Sequence, residues 1–131
     1  MDKRLIEIAD HYGFEAQQNQ LIEEMAELTV AINRLHRADN KQLISCDTPE
    51  AETSLTEFHK NQYAVRSNAY EDVVHAIADV EVCLKQVKYL MEISKSTLKR
   101  IRDTKIERQL KRIEVEQKRN LLEPQPGQFK F

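Results

Sequence analysis

The chain has 131 residues, with 20 Lys and Arg against 22 Asp and Glu and a net charge of −2. This length suits one domain with its own core, and the charge balance argues against a general nucleic-acid binder. No apolar run approaches a membrane span, and the start at Met1-Asp2-Lys3-Arg4-Leu5 lacks the apolar centre of a signal peptide. Two cysteines, Cys46 and Cys83, without redox or metal-ligand spacing, point to a reducing cytoplasm.

Gly13 and Gly127 are the only glycines, and Pro49, Pro124 and Pro126 the only prolines. The long stretches between them are rich in Glu, Lys, Leu, Gln and Ala, which predicts an all-α chain. A first short helix is expected over residues 2–12, with Leu5, Ile6, Ile8 and Ala9 as its apolar face and a stop near Gly13. The second helix is predicted over 15–37, where Leu21, Met25, Leu28, Ile32 and Leu35 recur at steps of three and four, with Ile22 and Thr29 alongside.

Residues 38–68 read as a long, less regular connection. Asn40, Asp47-Thr48-Pro49 and Ser67-Asn68 are turn or cap signals, and Thr48 or Ser54 could start a short helix through Leu55 and Phe58. A lid and a surface insertion without a role are equally compatible with this composition. The third long helix is predicted over 70–92 with Val73, Ile77, Val80, Leu84, Val87 and Met91 inward. A fourth element over 96–119 would place Leu98, Ile101, Ile106, Leu110 and Ile113 inward. It carries ten Lys and Arg against four Asp and Glu between Lys95 and Arg119. Such a surplus is ordinarily a solvated helix face, and otherwise an attraction for a polyanion. Residues 123–131 read as a frayed tail after a single domain of 1–122.

The densest chemistry is Glu23-Glu24-Met25-Ala26-Glu27. Three carboxylates beside a buried stripe repel one another and lose solvation unless a cation shares them. At about 100° per residue, Glu24 falls at the edge of the stripe and Glu27 further round the same side, while Glu23 points away. Asp72 and Asp79, seven apart, share one flank of the third helix, with His75 close to the same meridian. Hard oxygen ligands of this kind suit Mg²⁺ or Mn²⁺ bridging to phosphate oxygens. A solvated acidic surface is the alternative reading of the same residues.

Residues 15–28, containing Glu23-Glu24-Met25-Ala26-Glu27, resemble the first motif (Glu-Glu-x-x-Glu) of the MazG-like nucleoside triphosphate pyrophosphohydrolases. Ile77-Ala78-Asp79-Val80-Glu81 and the apolar residues after it resemble their second motif, Glu-x-x-Asp. The likeness spans residues 11–37 and 71–91. It implies an all-α helical bundle that forms a homodimer or homotetramer. It also implies Mg²⁺-dependent cleavage of an NTP or dNTP to monophosphate and pyrophosphate, with water as nucleophile. By position it makes Glu24, Glu27 and Asp79 metal ligands and puts Glu23 behind them.

The remaining ligand, a Glu three residues before Asp79, is Ala76 here. Asp72 could supply the missing oxygen. His75 could do so with Mn²⁺ or Zn²⁺. Otherwise the site is weakened, and the chain would be a helical module that binds nucleotide, RNA or a partner protein. For the substrate, Tyr12, Phe14, Gln17 and Gln20 are candidates to meet the base, and Lys85 and Lys88 to meet phosphate.

Overall fold

The computed structural model describes residues 1–42 and 52–122, with side chains described for residues 1–40 and 57–122. All described structure is helical: α1 (Lys3–Gln42), α2 (Glu52–Leu90) and α3 (Lys95–Leu122). No helix among the described residues is long and apolar enough to cross a membrane. The chain divides into two compact units, residues 1–92 and 93–131.

α1 starts where the sequence has its first cap. Asp2 accepts the Arg4 backbone N–H on Oδ1 at 2.9 Å, and its own carbonyl accepts from Leu5 N at 3.1 Å. The Arg4 guanidinium also donates to this carboxylate and holds it down to about 2. Gly13 interrupts α1 as expected, at φ 82° and ψ 173°, a backbone region in which only glycine is comfortable. The second half of α1 then continues past the predicted end at Arg37 to Gln42.

The structure corrects the expected connection over 38–68. α2 is helical from Glu52, so the turn signals at Ser67 and Asn68 are overridden. Tertiary packing provides the reason. Ala38 and Ala69 are buried, and beside them Arg66 Nε meets Asp39 Oδ1 at 2.6 Å. This pair is half-exposed and contributes about 0–1 kcal/mol, but it fixes register. Asp47, Thr48 and Pro49 lie outside the described residues, as does the predicted tail over 123–131.

α1 and α2 form an antiparallel hairpin. Asp39 pairs with Arg66 at one end, and Tyr89 Oη donates to Asp10 Oδ1 at 3.0 Å at the other. The hydrogen bond to Asp10 pushes the Tyr89 phenol up from its usual value. The interface is lined by small side chains: Ala9, Ala31, Ala38, Ala69, Ala76 and Cys83 are buried, with Val87 the largest apolar member. Two amides join them, Gln17 at 6% exposure and Gln86 at 3%.

The predicted core stripes hold in part: Leu21, Leu28, Leu35, Val73 and Val80 are half-buried and Val87 is buried, while the other members lie outside. Met25 is 46% exposed and Ile77 43% exposed, and Ile22, Ile32, Leu84 and Met91 are exposed as well. Small residues fill the buried positions, the leucines and valines at heptad spacing flank them, and Met25, Ile32, Ile77 and Leu84 fall outside. On α2, Tyr63, Tyr70, Ile77 and Leu84 are all exposed and recur every seven residues, which makes one continuous apolar seam, and the exposed Met91 follows in the turn after the helix.

Ser94 caps α3 from just before its first residue, its carbonyl accepting from Leu98 N at 3.0 Å. It has no buried residue. Of the positions expected inward, Leu98 is half-buried, while Ile101, Ile106, Leu110 and Ile113 are exposed among the described residues.

Candidate metal and phosphate cleft

The antiparallel register brings the acidic faces of α1 and α2 to one cleft of about 530 Å³. α1 lines it with Ala26, Glu27, Val30, Ala31 and Arg34, and α2 with Asp72, His75, Ala76 and Asp79. Four of the predicted site residues, Glu27, Asp72, His75 and Asp79, therefore share one wall-to-wall space. Their convergence follows from spacing: Asp72 and Asp79 lie two turns apart on α2, and Glu27 faces them from α1. Ile77 projects about 200° from Asp79, and Met25 about 200° from Glu27, so cleft and apolar seam lie on opposite sides of the hairpin.

Glu24 sits apart from the cleft lining, half-buried against the hairpin interior. Gln20 Nε2 donates to its Oε1 at 2.6 Å, while its Oε2 is buried with no partner. Burial first, and then the negative charges of Glu24 and Asp79, push the nearby Cys83 thiol up from its usual value. That dependence links Glu24 and Asp79 across the helix pair. Glu23 is exposed and outside the cleft, as its azimuth required.

The remaining expected contacts are dispersed. Gln17 is buried in the hairpin interface, Gln20 is engaged with Glu24, Lys85 is exposed and Lys88 is half-buried. None of these four lines the cleft. Tyr12 and Phe14 are exposed. Two residues were missed in the sequence. Arg34 lines the cleft, and its signal was available, since it lies seven residues beyond Glu27 and so shares its azimuth. Gln86 is buried with its Oε1 unpartnered, in a stretch whose apolar pattern drew attention elsewhere.

The donor chemistry fits a hard divalent cation: three carboxylates in one cleft, and the orphaned oxygen of Glu24 behind them. The side chains are nevertheless not gathered about one point. Among the described residues, no three of His, Cys, Asp and Glu are disposed to hold an ion together. Ala76 marks the gap, buried between the flanking acidic positions Asp72 and Asp79. Compared with known proteins, the chain matches no family model, no curated protein and no solved structure.

Proposed function

We propose that this chain is a Mg²⁺-dependent nucleoside triphosphate pyrophosphohydrolase of the MazG-like kind, releasing a nucleoside monophosphate and pyrophosphate from an NTP or dNTP. The observation that carries the reading is the meeting of Glu27 on α1 with Asp72 and Asp79 on α2 in one cleft, beside the motifs that resemble that family. Glu27 and Asp79 would hold Mg²⁺, or Mn²⁺, with Asp72 or His75 in place of the ligand absent at Ala76. Glu24 would reach the same ion through its unpartnered oxygen, with Glu23 behind it.

When bound, the cation supplies charge neutralisation for the polyphosphate and acidifies a water for attack between the α and β phosphates. The protein's part is to keep carboxylates from two helices pre-positioned, with Gln20 fixing one Glu24 oxygen by a hydrogen bond. A homodimer or homotetramer accompanies this reading. Large apolar side chains on the outer side of the hairpin are about half exposed and each forgo about 1 kcal/mol, which a second copy would recover. The setting proposed is cytoplasmic.

A second reading is favoured by Ala76 and by the ungathered carboxylates: a non-catalytic helical module that binds nucleotide, RNA or a partner protein, with the exposed basic α3 as one contact surface. A screen of NTPs and dNTPs for released pyrophosphate, paired with Mg²⁺ calorimetry, separates the two. Hydrolysis lost in Asp79→Ala supports the enzyme. No hydrolysis, together with no carboxylate-dependent Mg²⁺ binding, leaves the module.

A further inference from the structure

The acidic cleft also holds a cation of its own. Arg34 lies seven residues beyond Glu27 on α1, and Asp72 lies seven residues before Asp79 on α2. Because the helices run antiparallel in the register fixed by Asp39 and Arg66, these residues form two rungs. Glu27 stands across from Asp79, and Arg34 across from Asp72, two helical turns or about 10 Å along the hairpin. Between the rungs the floor is Ala31 and Ala76, both buried, so space there is open.

Arg34 shares this space with three carboxylates, yet among the described residues it forms no ion pair. A guanidinium that served only to neutralise its neighbours would be drawn into contact with Asp72 or Glu27. Instead it is exposed and its donors are available. Its planar fork carries a permanent charge and matches two phosphate oxygens at once.

We propose that Arg34 anchors the distal phosphates of a polyphosphate chain laid along the cleft, the proximal part being held by the divalent cation that Glu27 and Asp79 would bind. The substrate chemistry rests on the nucleotide-hydrolase reading above. The two-rung geometry adds selectivity to it: a triphosphate reaches both rungs, whereas a monophosphate engages one and leaves. Arg34 is thus a substrate-binding residue that discriminates substrate from product by phosphate-chain length.

The probe is inorganic tripolyphosphate in excess Mg²⁺, titrated calorimetrically into the full chain. Arg34→Ala is expected to weaken binding about tenfold or more, and Arg34→Lys by an intermediate factor, because charge persists while the fork is lost. Mg²⁺ binding without polyphosphate should not weaken in either variant, and circular dichroism should be unchanged because Arg34 is exposed. Tripolyphosphate binding that is equal in wild type and Arg34→Ala, or absent in wild type, overturns the proposal. Pyrophosphate release measured in parallel keeps the two readings apart. Release unaffected by Arg34→Ala sinks the anchor alone. Arg34-dependent tripolyphosphate binding without any hydrolysis sinks the reaction and leaves the anchor standing.

Discussion

Ala76 is the position at which the proposed site can be strengthened or exposed as false. It is buried on the cleft floor, between Asp72 and Asp79 on α2 and across from Val30 and Ala31 on α1. Ala76→Glu would send a carboxylate towards the cleft from a position buried between the two helices, so a packing cost, equal with and without a cation, adds to the electrostatic one. With no cation present, the new charge meets Glu27, Asp72 and Asp79. At the intermediate dielectric of an open cleft, each neighbour costs about 1 kcal/mol, so this repulsion should destabilise the variant by about 2–3 kcal/mol in a chelator. A divalent ion binding only the folded state returns about 2.7 kcal/mol at a hundredfold excess over its Kd.

The assay is thermal unfolding by circular dichroism, in chelator and in Mg²⁺, for wild type and variant. The expected pattern is a lower Tm for Ala76→Glu in chelator and a Mg²⁺-induced rise larger than that of wild type. A chain of this size should move about 3–5 °C for each kcal/mol. Hydrolysis should rise in the same variant. A variant destabilised equally with and without Mg²⁺ would refute the placement of a cation beside this residue.

Further consequences follow from the hairpin. Gly13→Ala should cost about 1–3 kcal/mol in a urea titration even though a Cβ there meets no atom within 4 Å, because the cost lies in φ 82° and ψ 173°. Gly13→Asn should lose about as much as Gly13→Ala, because the positive-φ region that Asn tolerates is the left-handed helical one and not the extended ψ found here. Ile77→Lys, in the exposed apolar seam, tests the proposed subunit contact: sedimentation should shift towards the monomer with helix content intact, and sedimentation unchanged from wild type would exclude the seam as that contact. The Tyr89–Asp10 bond predicts a pH dependence whose sign is set by the raised phenol. Its stabilisation is fully present below the ordinary tyrosine value of about 10 and is lost as pH rises through the higher folded value. The stability difference between wild type and Tyr89→Phe should therefore be flat below that range and shrink above it.

Much of this architecture was legible before the fold was known. Gly13 marked the break in α1 because no other residue suits that backbone, and the Asp72–Asp79 spacing placed both carboxylates on one face because two turns nearly restore the azimuth. The identity of the core was legible only in part. Periodicity selects Leu21, Leu28, Leu35, Val73, Val80 and Val87, which the hairpin does cover at least in part. It also selects the exposed Met25, Ile32, Ile77 and Leu84 and passes over Ala31, Ala38, Ala69, Ala76 and Cys83, which are buried. A pattern of three and four marks which face is apolar without specifying which neighbour covers it.

The segment from Glu52 to Asn68 was hidden for a different reason. Its Ser and Asn residues favour turns locally, and the burial of Ala38 and Ala69 with the Arg66–Asp39 pair is a non-local term. Arg34 was accessible from spacing with Glu27 but carried no signal of type, since one arginine on a helix resembles any solvated charge. Only the facing Asp72 gives it meaning, and that relation requires the register of the hairpin.

The central claim concerns which bond is broken, and it is tested most directly by phosphorus NMR of an NTP incubated with the protein and Mg²⁺ in ¹⁸O-labelled water, with Asp79→Ala as the control. The account predicts nucleoside monophosphate and pyrophosphate from wild type and neither from the variant. Formation of nucleoside diphosphate and orthophosphate, equal turnover by Asp79→Ala, or an unaltered triphosphate with every nucleotide tried would contradict it.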